Sequence, residues 1–422
     1  MPDRLRLVLA DRPTGRPALV ALAGAVEASA LGARVDLVLA RGAEAIAAAV
    51  EAARAPGQAA LVAWSFFSAD AAAAGAEIRA VRELPGAAGA LHVAGGVHAS
   101  AEPAATLALG FDLAARGEGE GTLLELAGRL LAGEDPRRGS GVCWLEGGAV
   151  RGAGRAPPVD LDAHPGFSRR LGKALALEIT RGCVWACRFC QTPFQQRARW
   201  RHRGLAGVRA WARFAVELGH RDLRFVTPSA LSYGAEGTEA RLDAVEALLR
   251  AVREEVGPSR RIFLGSFPSE LRPEHVSPEA LAILRRWTDG RELLIGGQSG
   301  SDRLLGAMER GHGAEDIRRA VRLAREAGFD VAVDFIVGLP GEREEDLDAS
   351  RRLMAELAGA GARIHGHAFM PLPGTPWKAE PAGRIDPETR RLLERLASQG
   401  RAYGQWKRQE ELGAGLVELR KG

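Results

Sequence analysis

The chain has 422 residues, 46% of them hydrophobic, and a formal net charge of +4, values that predict a globular protein with two or three domains. No run of eighteen apolar residues occurs and the N-terminus MPDRLRLVLADRP is too polar for a signal peptide, so we expect a cytoplasmic protein without a membrane span. The arginines are spread along the chain, which argues against a nucleic-acid-binding role.

The first part of the chain alternates short apolar runs with alanine-rich stretches. Predicted strands cover residues 5–10, 35–40, 59–67, 90–94 and 111–115. This alternation predicts an α/β domain over residues 1–134, with a doubly wound, mostly parallel sheet that has helices on both faces.

Residues 135–172 carry several Pro and Gly residues and predict a hairpin around Gly147 and Gly148, followed by an extended linker. Cys143 falls in this hairpin and is interpreted as a small buried apolar residue.

A second alternation begins at residue 173. Predicted strands cover 174–179, 222–227, 261–265, 292–296, 330–337 and 363–369, and predicted helices cover 207–218, 240–256, 278–287, 314–327 and 344–360. Six repeats predict a partial (β/α)6 TIM-type barrel over residues 173–380, with its chemistry at the carboxyl ends of the strands. In the C-terminal extension, residues 381–422, one amphipathic helix over 387–408 is expected on the outside.

Three of the four cysteines lie within eight residues, Cys183, Cys187 and Cys190, in the run EITRGCVWACRFCQTP. Three thiolates so spaced suit three corners of a 4Fe-4S cluster and leave the fourth iron open. The alternative is a structural zinc site, which would need a fourth ligand such as His202 or His220.

A local basic cluster follows the cysteines. Arg197, Arg199, Arg201 and Arg203, with His202, form a candidate site for an anionic ligand. The favoured interpretation is a solvated loop that leads into a helix.

The CxxxCxxC spacing after a strand, with Phe189 just before the last cysteine, resembles the radical S-adenosylmethionine (SAM) superfamily. The resemblance implies that the open iron binds the amino and carboxylate groups of SAM and that Phe189 packs near the adenine. It also implies reductive cleavage of SAM to methionine and a 5′-deoxyadenosyl radical that abstracts a substrate hydrogen, with an electron donor such as flavodoxin or ferredoxin.

Two further segments support the resemblance. In IGGQSGSDRLLGAMERG, Gly296 and Gly297 allow a close approach of the ligand, and Arg310 is a candidate partner for the SAM carboxylate. The hydrogen-bonding candidates there are Gln298, Ser299 and Ser301. The alternative is a helix N-cap at Ser301 or Asp302 with a surface arginine.

The segment DFIVGLPGERE resembles the adenine-proximal turn of the superfamily, with Gly338, Leu339, Pro340, Gly341 and Glu342. One departure concerns the SAM amino group. Where many members carry a Gly-Gly-Glu motif, this chain reads FVTPSALSYG, so Thr227 and Ser229 are the candidate oxygen donors.

The N-terminal domain resembles the cobalamin-binding domain of one branch of the superfamily. The matching residues are Ser65, Gly95, Gly96, His98, Glu118 and Gly119, and the segment 265–276 also resembles this branch. The loop DRPTGR from Asp11 carries no histidine, which excludes a histidine lower axial ligand from that loop. His92 and His98 are interpreted as structural histidines.

The favoured function is a cobalamin-dependent radical SAM methyltransferase that acts on an unactivated carbon of a small molecule or peptide. The alternatives are a radical SAM cyclase or oxidoreductase without methyl transfer and a non-enzymatic metal-stabilised binding protein. A tRNA methylthiotransferase is disfavoured because no cysteine precedes Cys143. Residues expected near the substrate are Arg181, Trp185, Phe267, His365 and His367.

Overall fold

The computed structural model describes residues 2–152 and 154–421. It divides into two compact units, Met1–Leu177 and Glu178–Gly422. Within the described residues, no helix combines the length and the apolar character needed to cross a bilayer.

The first unit contains one seven-stranded sheet. Its strands are β1 (Arg4–Ala10), β2 (Val35–Ala40), β3 (Gln58–Ser65), β4 (Leu91–Gly95), β5 (Leu113–Ala115), β6 (Val142–Glu146) and β7 (Ala149–Gly152). Its helices are α1 (Arg16–Ala28), α2 (Ala43–Glu51), α3 (Ala71–Glu83), α4 (Val97–Ala101), α5 (Pro103–Ala108) and α6 (Gly119–Ala132). The strand order is β2-β1-β3-β4-β5-β6-β7, and the first five strands pair in parallel. The predicted doubly wound fold is confirmed.

Both faces of this sheet are buried, which explains why β1 is almost continuously apolar. Leu7 and Leu9 belong to a core with Leu19 of α1 and Leu123 of α6. Val8 points to the other face, where it belongs to a core formed with α2 and α3. Successive side chains of one strand therefore serve two different cores.

The predicted hairpin around Gly147 and Gly148 is observed as β6 and β7. The structure adds that β6 pairs antiparallel with β5, so the hairpin extends the sheet at its edge. Cys143 is buried in a small cluster with Leu107 and Ala114, as predicted, and burial raises the pKa of its thiol.

Two helical glycines of this unit allow a matched test of packing. A Cβ atom at Gly24 in α1 would lie 2.0 Å from the carbonyl oxygen of Phe167, whereas one at Gly128 in α6 would lie 3.8 Å from its nearest neighbour, Leu31 Cδ1. We expect Gly24→Ala to lower the free energy of unfolding by about 1–3 kcal/mol. Gly128→Ala is expected to raise it by about 0.5–1 kcal/mol. Urea unfolding of the full chain measures both, and equal effects would contradict the packing described.

His92 makes the stability of this unit depend on pH. Burial lowers the pKa of His92 to about 4, and its Nδ1 accepts a hydrogen bond from Trp64 Nε1 at 3.2 Å. Because the unfolded chain binds this proton near pH 6.5, stability falls as the pH drops below that value. Between pH 7 and pH 5, we expect the free energy of unfolding to fall by about 2 kcal/mol less in the His92→Gln variant than in the wild type. Urea unfolding of the wild type and the variant at the two pH values tests this, and identical pH dependences would refute it.

The second unit begins within β8. Its strands are β8 (Leu177–Glu178), β9 (Thr180–Arg181), β10 (Arg201–His202), β11 (Asp222–Val226), β12 (Arg261–Phe263), β13 (Glu292–Gln298), β14 (Asp330–Val337), β15 (Arg363–Ala368) and β16 (Ala402–Gly404). Its helices are α7 (Gln191–Gln195), α8 (Leu205–Glu217), α9 (Leu242–Val256), α10 (Pro278–Trp287), α11 (Asp302–Ala307), α12 (Ala314–Glu326), α13 (Glu344–Gly359), α14 (Pro387–Ser398) and α15 (Trp406–Lys421).

These strands form the predicted partial barrel. One sheet has the order β12-β11-β8 and the next the order β13-β14-β15-β16. The two are joined where Leu294 of β13 donates its N–H to the carbonyl oxygen of Gly265 at 2.8 Å and where Leu271 bridges Ile295. The pairs β11–β12, β13–β14, β14–β15 and β15–β16 are parallel.

The prediction of one outer helix over residues 387–408 is wrong. Helix α14 ends before Gly400, which has a φ of 71°, and β16 then pairs with β15 as a further parallel strand. The reason is backbone packing, since a Cβ atom at Gly404 would lie 2.2 Å from the carbonyl oxygen of Gly366. The C-terminal extension therefore completes the second sheet.

Candidate active site

The cysteine loop is closed at its base by two short strands. Thr180 and Arg181 of β9 pair antiparallel with His202 and Arg201 of β10, so residues 182–200 form a closed loop. Gly182 begins this loop with a φ of 83°, and a Cβ atom there would lie 2.1 Å from the carbonyl oxygen of Arg199. Only glycine suits this position.

The loop turns so that its three thiols lie in one buried region. The N–H of Cys190 donates to the carbonyl oxygen of Cys187 at 2.9 Å, which closes a turn between the last two cysteines. Burial raises the pKa of Cys183 to about 12 and also raises the pKa of Cys190. A group that binds all three sulfurs must therefore displace thiol protons.

The alternative of a structural zinc site needs a fourth ligand beside the three cysteines. His202 is not available as a fourth ligand, because its Nδ1 lies 3.0 Å from Thr180 Oγ1 and its Nε2 lies 2.8 Å from the carbonyl oxygen of Ala235. A zinc ion on the three cysteines would therefore need a ligand other than His202.

A cavity of about 140 Å³ opens beside the thiols. The three cysteines, Trp185, Phe189, Gln298 and Arg310 line it, together with Glu270, Arg272 and Asp334. Two buried polar atoms at this cavity, Trp185 Nε1 and Arg310 Nε, have no hydrogen-bond partner among the described residues. Because buried N–H groups are rarely left without an acceptor, this site fits a polar ligand.

Arg310 joins the cysteine loop to β13. Its guanidinium donates from Nη2 to the carbonyl oxygen of Gly296 at 2.6 Å and from Nη1 to the sulfur of Cys187 at 3.5 Å. The side chain is 7% exposed, so the alternative of a surface arginine is wrong. Arg310 therefore connects the cysteine loop to the end of β13 through its two guanidinium contacts.

A second guanidinium supports the first. Arg272 lies 3.7 Å above the ring of Trp185 and forms a salt bridge with Glu274. It also donates to the carbonyl oxygen of Arg310. Two buried cations therefore stand beside the thiols, where they would offset the negative charge of an iron-sulfur cluster.

The QSGSD segment divides its predicted residues between two roles. Gln298 lines the cavity and has a φ of 82°, at an irregularity where the pairing of β13 with β14 shifts. Ser299 Oγ lies 3.1 Å from Ser350 Oγ. Ser301 caps α11, because its hydroxyl oxygen accepts a hydrogen bond from the N–H of Leu304 at 3.3 Å. The helix N-cap proposed as an alternative is therefore present at Ser301.

Three other predicted SAM residues are not among those that line the cavity. The hydroxyl of Thr227 donates to the carbonyl oxygen of Ser229 at 2.9 Å, and Pro228 between them faces the cavity. Gly338 has a φ of 72°, and a Cβ atom there would lie 2.7 Å from the backbone nitrogen of Arg384. Its turn packs against the segment that follows β15.

The basic cluster after the cysteines is only partly a solvated loop. Arg197 and Arg199 are exposed, as that interpretation requires. Arg203 is buried, however, and donates to the carbonyl oxygen of Glu178 at 3.1 Å. The interpretation is wrong for Arg203, because β10 carries it into the base of the barrel.

The predicted cobalamin residues gather at one edge of the first sheet. Ser65 and Gly95 are paired at the ends of β3 and β4, and Gly96 follows with a φ of 92°. His98 is 4% exposed, with its Nδ1 3.3 Å from Ser68 Oγ, and burial lowers its pKa to about 4. At the start of α6, Glu118 accepts the N–H of Val159 at 3.0 Å and precedes Gly119.

The comparison with protein families decides the class of the second unit. Residues 177–354 match the family described as the Radical SAM superfamily. This part of the chain resembles a radical SAM domain. The predicted resemblance to the radical SAM superfamily is confirmed by this match.

Among curated proteins, the chain is 30% identical over 258 residues to tRNA-2-methylthio-N(6)-dimethylallyladenosine synthase of Zymomonas mobilis. The match covers 58% of this chain and 55% of that protein, so the chain spans about half the length of this relative.

Solved structures resemble both units. A structure of the methyltransferase TsrM from Kitasatospora setae, with cobalamin and a 4Fe-4S cluster bound, has a TM-score of 0.69 at 19% identity, over 90% of this chain and 75% of that one. The cobalamin-dependent radical enzyme OxsB, with aqua-cobalamin bound, has a TM-score of 0.66 at 15% identity, over 84% of this chain and 52% of that one. At these identities the likeness establishes the fold.

Sequence reasoning missed several residues of the cavity. Glu270 and Arg272 lie in GSFPSELRPEHV, a segment that was noted as a whole, and Asp334 precedes the GLPGE turn. For Asp334 the signal was one carboxylate within the otherwise apolar strand VAVDFIV, since a charged residue in such a strand is rarely without a role. Glu270 and Arg272 lie among polar residues and gave no such signal. Of the residues expected near the substrate, Trp185 lines the cavity, whereas Phe267 is 70% exposed.

Proposed function

We propose that the chain is a cobalamin-dependent radical SAM enzyme that methylates an unactivated carbon of a small molecule or peptide. The observation that carries the proposal is the likeness to TsrM, which extends over 90% of the chain and thus beyond the radical SAM domain. The TsrM structure is described with both cobalamin and a 4Fe-4S cluster.

The residues of the second unit suit the cluster and SAM. Cys183, Cys187 and Cys190 would hold three irons. Within the part of the chain that the structure describes, the N–H on Nε of Arg310 has no partner, and it could donate to a carboxylate. When bound, the cluster and SAM supply reductive cleavage and a radical that removes a substrate hydrogen. The chain's own task is to orient SAM and to exclude water from the cavity.

The first unit suits a large planar ligand at its sheet edge. A Cβ atom added at Gly95 would lie 3.7 Å from the carbonyl oxygen of Trp64, an ordinary van der Waals contact, so this strand end is not overcrowded. In open α/β sheets such strand ends are the usual ligand-binding edge. Cobalamin held there would carry the methyl group, and neither His92 nor His98 is poised as its lower ligand, because both are engaged in buried contacts.

The test is reconstitution of the full chain with iron, sulfide and hydroxocobalamin under anoxic conditions. We expect iron-sulfur absorbance, retained cobalamin, and 5′-deoxyadenosine after reduction in the presence of SAM. With methyl-labelled SAM, the product should carry the label. Iron-sulfur absorbance without retained cobalamin would sink the cobalamin assignment, and product without label would favour a cyclase or oxidoreductase.

The curated relative suggests a second candidate, methylthiolation of tRNA. Cys143 is the one cysteine of the first unit, and it is buried at the sheet edge, so this unit lacks the thiols for a second cluster. Iron analysis of the reconstituted chain distinguishes the two, since one cluster per chain is expected.

A further inference from the structure

A polar cluster lies inside the barrel beyond the cysteine site. Asp334 of β14 is in register with His365 of β15, which is in register with Tyr403 of β16. His365 Nδ1 lies 2.7 Å from Asp334 Oδ1, and His367 Nε2 lies 3.4 Å from the same oxygen. The ring of His365 stacks on Tyr403 with centroids 4.5 Å apart.

Three ligand atoms so close together suggest a metal site, but the hydrogen bonds argue otherwise. Ala368 donates its N–H to Gln409 Oε1 at 3.1 Å, which directs the Gln409 Nε2 group to Nδ1 of His367 at 3.2 Å. An amide nitrogen only donates, so this Nδ1 is unprotonated and the proton of the neutral ring lies on Nε2, towards Asp334. A metal at Nε2 would push that proton onto Nδ1, against the amide donor.

Asp334 is therefore an ionised acceptor held by two imidazoles. Both imidazole contacts fall on Oδ1, and they keep the pKa of Asp334 below its usual range although burial acts in the opposite direction. No residue in the described ranges donates to its Oδ2, and Asp334 lines the cavity. Oδ2 is thus open to a ligand.

Glu270 lines the same cavity. Burial raises its pKa to about 7, and the charge of Asp334 adds to the rise while His367 opposes it. Among the residues that the structure describes, no other residue donates a hydrogen bond to the Glu270 carboxyl. Both nearby arginines are engaged elsewhere, Arg272 with Glu274 and Arg310 with Gly296 and Cys187.

We propose that Asp334 and Glu270 together bind a primary amine, with His365 and His367 holding Asp334 in place. An amine offers two or three N–H donors, and in its ammonium form it neutralises the paired carboxyl groups. The amine belongs to the substrate or to the amino-acid end of SAM, whose usual Gly-Gly-Glu partner this chain lacks. The proposal rests on the proposed function, because it treats the cavity as the place where SAM and substrate meet.

The experiment measures the binding of amines and does not depend on turnover. Infrared difference spectra of the reconstituted full chain at pH 7 follow the carbonyl band of a protonated carboxylic acid. We expect n-butylammonium to remove this band, since a bound cation favours ionised Glu270, while 1-butanol leaves it unchanged. The Glu270→Gln chain should lack the response, and Asp334→Asn should weaken n-butylammonium binding about tenfold. Asp330→Asn, at the exposed start of the same strand, is the matched control.

S-adenosylhomocysteine distinguishes the two sources of the amine. If it removes the band and n-butylammonium then adds nothing, the amino group of SAM occupies the site. If n-butylammonium still removes the band with S-adenosylhomocysteine bound, the site belongs to the substrate. Either result supports the proposal.

Two results would overturn it. One is that 1-butanol removes the infrared band as fully as n-butylammonium does, or that neither n-butylammonium nor S-adenosylhomocysteine removes it. The other is tight binding of Mn²⁺ or Zn²⁺ that is lost in His367→Gln, which would make the cluster a metal site. Failure of SAM cleavage would count against the proposed function alone, since no arm of this experiment depends on cleavage.

Discussion

Replacement of Cys183, Cys187 and Cys190 by alanine is expected to reduce 5′-deoxyadenosine formation to background. The three thiols line one cavity, and the fourth cysteine, Cys143, lies in the other unit. Because Cys143 is buried against Leu107 and Ala114, we do not expect its thiol to replace them. Iron content and 5′-deoxyadenosine, measured after anoxic reconstitution, check this expectation.

Cys143→Ala is the matched control for the triple variant. It also removes a buried thiol, but from the sheet edge of the first unit, and should keep iron and turnover at the wild-type level. Cobalamin retention by the triple variant reports whether the first unit remains folded. Turnover that survives in the triple variant would end the assignment of these residues as cluster ligands.

The second large effect is expected at Arg310. Its removal in Arg310→Gln should weaken S-adenosylhomocysteine binding roughly ten- to a hundredfold, because a charge-assisted hydrogen bond contributes about 1.5–3 kcal/mol. It should also lower the reduction potential of the cluster, since a buried positive charge 3.5 Å from Cys187 is lost. Calorimetry and a redox titration measure the two effects.

Arg310→Lys separates charge from geometry. A lysine keeps the positive charge but not the planar fork, so it should restore much of the potential and little of the affinity. The exposed Arg319, which pairs with Asp316 on α12, serves as a control in Arg319→Gln. Normal affinity in Arg310→Gln would show that the SAM carboxylate is held elsewhere.

The order of strands and helices was predictable from the sequence. The alternation of apolar runs and helical stretches is a local pattern, so it can be recognised without knowing which residues are in contact. The strand over 330–337 and the helix over 278–287 agree with the structure at both ends. The cysteine loop was equally readable, since its spacing is local. These features depend on residues that are neighbours in the sequence.

The parts that were missed depend on residues far apart. The prediction placed the end of the outer helix too late in the chain. What ends the helix is the close approach of Gly404 to Gly366, and Gly366 lies on another strand. Ser299 and Gln298 are adjacent in the sequence, yet one faces Ser350 and the other faces the cavity, and a local irregularity in β13 decides which. No pattern in a single sequence reports such contacts.

Through the amide of Gln409, helix α15 contacts His367 on the inside of the barrel. Gln409 lies 75 residues after Asp334 in the sequence. It selects the tautomer of His367 because its amide lies between that ring and the backbone N–H of Ala368. A protein trimmed before α15 would keep every cysteine and every motif, yet His367 would be free to move its proton from one ring nitrogen to the other. Experiments on such a shortened chain would then measure a different cavity, in which a metal ion could compete for the carboxylate of Asp334.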